Sequence, residues 1–172
     1  MKKVLIIDTS VLCVWLEIPG METCGSGKGN LSWDKEKVDQ KLETEIQQNT
    51  VLVLPLATVL ETGNHITQAR SKQYELAQEL AKIMMAAADE TTPWAAFAEQ
   101  AVLWEAEGLK NLADEWQKVV PQKTSLGDAT MKMLAEHYAR KGYQVEIMTG
   151  DEGLKSYEPI PPVSRPTRRS SR

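Results

Sequence analysis

The chain has 172 residues, of which 42% are hydrophobic and 26% are charged. This composition excludes a disordered chain, and the length suits one domain with a hydrophobic core rather than two domains. The formal net charge of −4 argues against a protein that holds nucleic acid by bulk electrostatic attraction.

The charged residues are unevenly distributed along the chain. The last eight residues contain four arginines and no acid, so residues 1–164 hold 16 basic and 24 acidic groups, a net charge of −8. Residues 159–172 are rich in Pro, Arg and Ser and are predicted to be a disordered tail behind one folded domain at 1–158. Two interpretations of the tail stay open: a basic segment that contacts a nucleic-acid backbone, and a solvated terminus.

Neither the first residues nor the cysteines indicate export. The apolar run Val4–Ile7 ends at Asp8, short of the roughly 7–15 apolar residues of a signal peptide. No stretch approaches the roughly 18 apolar residues of a membrane span. Cys13 and Cys24 fit neither a disulfide framework nor a zinc site. We therefore expect a cytoplasmic protein with no membrane partner.

Three apolar segments predict the strands of a parallel sheet. Lys3–Ile7, Val51–Leu54 and Gln144–Met148 are rich in β-branched and apolar residues, as in strands covered on both faces. The segments between them have helical patterns. Alternating strands and helices indicate an α/β fold, a single Rossmann-like, three-layer domain in which helices flank a parallel central sheet.

The helices are predicted from apolar spacing and from capping residues. The pair Thr92–Pro93 predicts the N-terminus of one helix, and Ser125 with Asp128, followed later by Gly142, fits the two ends of another. Three apolar stripes have helical spacing. They are Val38, Leu42 and Ile46; Leu76, Leu80, Ile83 and Met84; and Trp94, Phe97, Ala101 and Trp104.

The glycine-rich segment 18–30 is predicted to be a mobile loop. Within it, Gly25–Gly29 is similar to a phosphate-binding loop, but that pattern needs a glycine where Glu22 stands and a Ser or Thr where Gly29 stands. The match fails at both positions. Lys28 is a candidate contact to a nucleic-acid backbone.

Four acidic residues follow the predicted strands or begin the predicted helices. Asp8 comes directly after the first strand, and Asp151 comes shortly after the third. Glu61 lies in the helix that follows the second strand, and Asp128 lies in the first turn of its own helix. Because ligands bind where the carboxyl ends of parallel strands meet, we expect these four side chains to gather at that edge of the sheet.

Clustered carboxylates repel one another and need a cation. At an effective dielectric constant of about 20, two ionised groups about 4 Å apart repel by roughly 4 kcal/mol. Carboxylate oxygens are the ligands that Mg²⁺ and Mn²⁺ prefer. The pattern therefore predicts one or two divalent cations and metal-assisted hydrolysis of a phosphodiester.

The sequence around these acids resembles the four acidic motifs of the PIN-domain nuclease family in order and spacing. The resemblance extends over residues 3–157. It implies a PIN-like fold and a Mg²⁺- or Mn²⁺-dependent endoribonuclease that leaves 5′-phosphate and 3′-hydroxyl ends. The matching motifs are Asp8-Thr9-Ser10, Leu60-Glu61-Thr62-Gly63-Asn64-His65, Ser125-Leu126-Gly127-Asp128-Ala129 and Met148-Thr149-Gly150-Asp151.

The family resemblance also implies roles and partners. Asp8, Glu61, Asp128 and Asp151 would be the catalytic and metal-binding set, supported by the hydroxyl groups of Thr9 or Ser10 and of Thr149. His65 and Lys28 are candidate substrate contacts. VapC-like toxins of toxin–antitoxin pairs are common members of the family, so the implied partners are an RNA substrate, an antitoxin protein and a second copy of the chain.

Simpler interpretations of single residues stay open. Asp8 also suits a turn, and Asp128 also suits a helix cap. Glu152 is an alternative to Asp151. His65 also suits a helix surface, and His137 is assigned to structure. The tryptophans Trp94, Trp104 and Trp116 are assigned to core or interface packing.

Two other function classes share features with this sequence. A phosphatase of the haloacid dehalogenase type also places an Asp after its first strand, but it needs a second acid where Ser10 stands. The non-enzyme alternative is a PIN-like scaffold that binds RNA or a protein partner without cutting.

Overall fold

The computed structural model describes residues 1–27 and 29–161 of the chain. A three-stranded parallel sheet with the strand order β4-β1-β5 lies at its centre, accompanied by a two-stranded antiparallel hairpin, β2-β3. The predicted parallel strands are confirmed. The strands are β1 (Lys3–Ile7), β2 (Thr23–Cys24), β3 (Trp33–Asp34), β4 (Val51–Val53) and β5 (Gln144–Met148).

Helices fill most of the chain between the strands. The α-helices of the described residues are α1 (Thr9–Trp15), α2 (Lys35–Gln47), α3 (Leu56–Gln68), α4 (Gln73–Ala88), α5 (Ala101–Trp104), α6 (Ala106–Val119), α7 (Leu126–Arg140) and α8 (Glu152–Lys155). None of them is long and apolar enough to cross a membrane.

The central strand β1 separates two hydrophobic cores, because successive side chains of a strand point to opposite faces. Leu5 and Ile7 pack with α1, α2, α3 and α4 on one face, whereas Val4 and Ile6 pack with α5, α7 and α8 on the other. None of these four side chains is more than 1% exposed, and full burial of each stabilises the fold by about 1.5–3 kcal/mol. The predicted α/β fold, a parallel sheet flanked by helices, is confirmed.

Helix α7 has the predicted caps at both ends. The Ser125 hydroxyl accepts a hydrogen bond from the Asp128 backbone N–H at 3.0 Å. Beyond the last turn, Gly142 has a φ of +88°, a left-handed conformation that glycine adopts without a steric penalty. These caps fix where the helix begins, and thereby where Asp128 lies.

The prediction that a helix starts at Thr92–Pro93 is wrong. Residues 93–95 are instead extended beside β4: the Leu52 N–H donates to the Pro93 oxygen, and the Ala95 N–H donates to the Leu52 oxygen, both at 2.8 Å. This pairing satisfies backbone groups of an edge strand that would otherwise lack partners. Helix α5 begins only at Ala101, and Trp104 at its end is 39% exposed.

The apolar stripe predicted for α2 is wrong at its last position. Ile46 is 43% exposed, whereas its neighbour Glu45 is 3% exposed. Glu45 is buried because Lys3, Lys41 and Thr50 donate hydrogen bonds to its carboxylate. Ionic partners that are distant in sequence therefore decide which face of the helix turns inward.

The segment 18–30 is not simply a loop, since β2 lies within it and pairs with β3 just beyond it. Thr23 lies opposite Asp34 and Cys24 lies opposite Trp33. Lys28, the predicted backbone contact, lies outside the described residues. So does the predicted tail, apart from 159–161.

Candidate active site

A cleft of about 390 Å³ lies where β1 and β5 end, and all four predicted acids line it. Asp8 directly follows β1, and Asp151 lies three residues beyond β5. Helices α3 and α7 bring Glu61 and Asp128 to the same cleft. The parallel sheet thus places acids from four separate segments together at the carboxyl edge of its strands.

The carboxylate of Asp8 is held by two hydroxyl groups. Ser10 Oγ donates to Asp8 Oδ2 at 2.7 Å, and Thr149 Oγ1 donates to the same oxygen at 2.8 Å. The Asp8 backbone N–H donates to the oxygen of Met148 at 3.1 Å. Two of the three predicted supporting hydroxyls, those of Ser10 and Thr149, therefore contact Asp8. The pairing of β1 with β5 continues to this residue.

Thr149 joins Asp8 to the turn that carries Asp151. Its hydroxyl oxygen accepts a hydrogen bond from the Asp151 backbone N–H at 3.0 Å while donating to Asp8. Thr149 is only 1% exposed. Asp151 Oδ1 in turn accepts from the Leu154 N–H at 2.8 Å and caps α8. Its other carboxylate oxygen has no hydrogen bond among the described residues.

Glu61 is oriented by a hydroxyl group and a glycine. Thr9 Oγ1 donates to Glu61 Oε2 at 2.8 Å. A Cβ placed on Gly127 would lie 2.5 Å from Glu61 Oε1. The Glu61 carboxylate therefore lies between the start of α1 and the first turn of α7.

The environment of Asp128 shows that the four acids interact. Burial raises the pKa of the Asp128 carboxyl above its ordinary value, and the Ser125 hydroxyl opposes that rise. The negative charges of Asp8, Asp151 and Glu61 raise this pKa further. Each of the other three acids is therefore close enough to disfavour the ionised form of Asp128.

The remaining predicted residues separate into those at the cleft and those outside it. His65 lines the cleft one helical turn from Glu61, together with Thr9 and Ser10. Glu152 belongs to the first turn of α8 and is not among the cleft-lining residues. The structure therefore favours Asp151 over Glu152 as the fourth acid.

Several contacts of the site were not predicted. Met21 and Gly25 line the cleft, as does Gly150. Trp33 donates its indole N–H to the Thr149 oxygen at 2.9 Å. The glycine clustering in 18–30 was the available signal, because closely approaching backbones favour glycine, but no local pattern pairs Gly25 with Gly150.

The donor chemistry of the cleft fits a hard divalent cation. Among residues 1–27 and 29–161, no Lys or Arg forms an ion pair with any of the four acids. In the same residues, no three Asp, Glu, His or Cys side chains are already gathered as a ligand group. Mg²⁺ keeps several water ligands and needs only one or two carboxylates, so an open acidic cleft suits it.

Comparisons with protein-family models, with curated proteins and with solved structures give no match for this chain.

Proposed function

We propose that this chain is a Mg²⁺- or Mn²⁺-dependent endoribonuclease of the PIN-domain type. The observation that supports the proposal best is the meeting of Asp8, Glu61, Asp128 and Asp151 in one cleft. Their mutual repulsion costs free energy that a bound dication would offset. The resemblance of the motifs supplies the substrate class.

A comparison within the molecule strengthens this argument. The buried acid Glu45 and the partly buried acid Glu146 share the lysines Lys3 and Lys41, at 2.5–2.9 Å. Elsewhere, therefore, the fold neutralises its inner carboxylates with its own lysines. The partly buried cleft acids Asp8 and Asp128 have no such partner among the described residues, as expected if their counter-charge comes from a ligand. Glu61 and Asp151 in the same cleft are exposed.

The residues of the cleft divide into those that would hold the cation and those that orient them. The four carboxylates would hold it, and it would supply Lewis-acid polarisation of the phosphate and a more acidic water. Thr9, Ser10 and Thr149 each donate a hydroxyl hydrogen bond to a carboxylate, which limits the rotation of the acid side chains. His65 at the cleft wall is proposed to contact the RNA.

The proposal is tested by metal binding and RNA cleavage measured on the same preparations. Wild-type protein should bind Mn²⁺ in calorimetry and cleave end-labelled single-stranded RNA, and EDTA should stop cleavage. Asp8→Asn should keep its thermal stability but lose both Mn²⁺ binding and cleavage. The control is Asp39→Asn, because Asp39 is an exposed acid on α2 that pairs with Lys35.

Three results would contradict the proposal. Cleavage that survives EDTA would exclude the metal-dependent mechanism, and cleavage that survives Asp8→Asn would exclude this cleft. Folded wild-type protein that binds RNA but takes up no Mn²⁺ would instead favour the non-cutting scaffold.

A role as the toxin of a toxin–antitoxin pair is part of the proposal and follows from the family resemblance alone. Expression of the chain by itself should arrest bacterial growth, and the product of an adjacent gene should restore it. Asp8→Asn should not arrest growth at the same protein level. Equal toxicity of wild type and Asp8→Asn would show that any growth effect does not arise from this cleft.

A further inference from the structure

The β2–β3 hairpin contacts the acidic cleft through a tryptophan that the proposed chemistry does not use. The Trp33 indole N–H donates to the backbone oxygen of Thr149 at 2.9 Å, across 116 positions of sequence. Trp33 is partly buried and Thr149 is almost fully buried. Water is therefore a poor replacement donor for this carbonyl.

Thr149 links the Trp33 hydrogen bond to the acids Asp8 and Asp151. Its hydroxyl donates to Asp8 Oδ2 at 2.8 Å and accepts from the Asp151 N–H at 3.0 Å. The carbonyl that Trp33 binds and the hydroxyl that joins the two acids belong to the same residue. A rotation of the peptide after Thr149 would therefore disturb the turn that holds Asp151.

A second contact brings the hairpin against this turn. A Cβ on Gly150 would lie 2.9 Å from the Gly25 backbone nitrogen and 3.1 Å from Cys24 Sγ. Gly25 itself has a φ of +97°, which favours glycine. The two backbones approach closely because Gly150 has no side chain. The Trp33 indole contacts the same turn from another point of the hairpin.

We infer that Trp33 is a positioning residue for the acidic site, which holds the Thr149–Asp151 turn in the geometry that binds the cation. This inference rests on the proposed metal-dependent function. The β2–β3 hairpin then helps to position the acids of the site. It does so through the hydrogen bond that the Trp33 indole N–H donates.

The test compares Trp33→Phe with wild type. Phenylalanine keeps an aromatic ring but lacks the N–H, so Mn²⁺ affinity should fall roughly tenfold, as for other groups that orient metal ligands. The Mn²⁺ concentration for half-maximal cleavage should rise by the same factor, and saturating Mn²⁺ should restore kcat. Trp104→Phe is the control, because Trp104 is partly exposed on α5 and its indole has no hydrogen bond among the described residues.

The outcomes separate this inference from the function on which it rests. Absence of Mn²⁺ binding by the wild type would contradict the proposed function itself. Normal wild-type binding with an unchanged Mn²⁺ affinity in Trp33→Phe would overturn only the role of Trp33. In folded Trp33→Phe, a loss of activity that saturating Mn²⁺ does not recover would also overturn it, since the effect would then not act through metal binding.

A measurement on wild-type protein keeps the inference testable if Trp33→Phe does not fold. In protein labelled with ¹⁵N at the indole nitrogens, the NMR signal of the Trp33 N–H should shift as Mg²⁺ is added. The Mg²⁺ concentration at half of the shift should agree with the dissociation constant that calorimetry gives for Mg²⁺. The Trp104 signal should not move. A Trp33 signal that stays fixed while Mg²⁺ binds would contradict the inference.

Discussion

The carboxylate of Glu61 lies against Gly127 so closely that a Cβ on residue 127 would be 2.5 Å from Glu61 Oε1. This contact joins α3 to the first turn of α7, one residue before Asp128. A side chain at residue 127 would displace the Glu61 carboxylate from its position. Two of the four cleft acids therefore owe their relative position to a missing side chain.

Gly127→Ala should weaken the site without weakening the fold. The added methyl group must displace the end of the Glu61 side chain, so Mn²⁺ affinity and cleavage should fall. Replacement of a helical glycine by alanine otherwise stabilises a protein by about 0.4–1 kcal/mol. Calorimetric Mn²⁺ titration and thermal unfolding of the same sample measure the two effects.

The matched control for this prediction is Gly63→Ala. Gly63 lies in α3, and a Cβ there would meet no atom within 4 Å. This variant should gain comparable stability and keep wild-type Mn²⁺ affinity. If Gly127→Ala bound Mn²⁺ as tightly as Gly63→Ala, Glu61 would not be a ligand whose position matters.

Replacement of Thr149 should weaken metal binding, because its hydroxyl bonds both Asp8 and Asp151. Thr149→Val removes the donor to Asp8 Oδ2 and the acceptor of the Asp151 N–H, so Mn²⁺ affinity should fall about 10–100-fold. Thr149→Ser keeps the hydroxyl and should restore most of that loss. Equal affinities for the Val and Ser variants would show that the hydroxyl has no part in the site.

The neighbouring acids Asp151 and Glu152 should respond differently to substitution. Asp151→Asn should abolish cleavage yet leave α8 capped, because asparagine also accepts the Leu154 N–H hydrogen bond. Glu152→Gln should cleave like wild type, since Glu152 does not line the cleft. Rates of RNA cleavage at saturating Mn²⁺ distinguish the two variants. If Glu152→Gln lost cleavage and Asp151→Asn kept it, Glu152 would be the fourth acid.

The ionic cluster at Glu45 should make stability depend on pH. Burial alone would raise the pKa of Glu45, but hydrogen bonds from Lys3, Lys41 and Thr50 lower it to about 2 from the ordinary 4.5. Because the folded-state pKa is the lower one, the contribution to stability is complete above pH 4.5 and is lost as the pH falls from 4.5 towards 2.

Glu45→Gln is the variant that tests this pH dependence. It should cost about 1.5–3 kcal/mol at neutral pH, as for hydrogen bonds to charged groups, and progressively less below pH 4.5. Urea unfolding at several pH values measures the difference, with the exposed Glu43→Gln on the same helix as control. A pH-independent difference between Glu45→Gln and wild type would contradict the assignment.

Local patterns were sufficient to predict the elements that carry the site. The apolar runs of β1 and β5 and the caps of α7 are short-range signals, and each element lies where these signals placed it. Once the sheet is parallel, the carboxyl ends of its strands share one edge. The positions of Asp8 and Asp151 follow from that geometry.

The failed predictions concern pairings between distant residues. The pattern at Thr92–Pro93 is locally that of a helix start, but the unpaired backbone of Leu52 takes residues 93–95 into an extended conformation. Likewise, helical spacing favours burial of Ile46, but the lysines Lys3 and Lys41 make burial of Glu45 favourable instead. A propensity of a few tenths of a kcal/mol per residue does not prevail over such contacts.

The sequence by itself determined the class of fold and the identities of the four acids, because period, caps and strand ends are encoded within a few residues of each position. The tertiary structure decided how those acids are held, through the contacts of Trp33 with Thr149 and of Gly127 with Glu61. These contacts join residues far apart in the chain. They exist only after the two cores have packed against the sheet, so no local pattern predicts them.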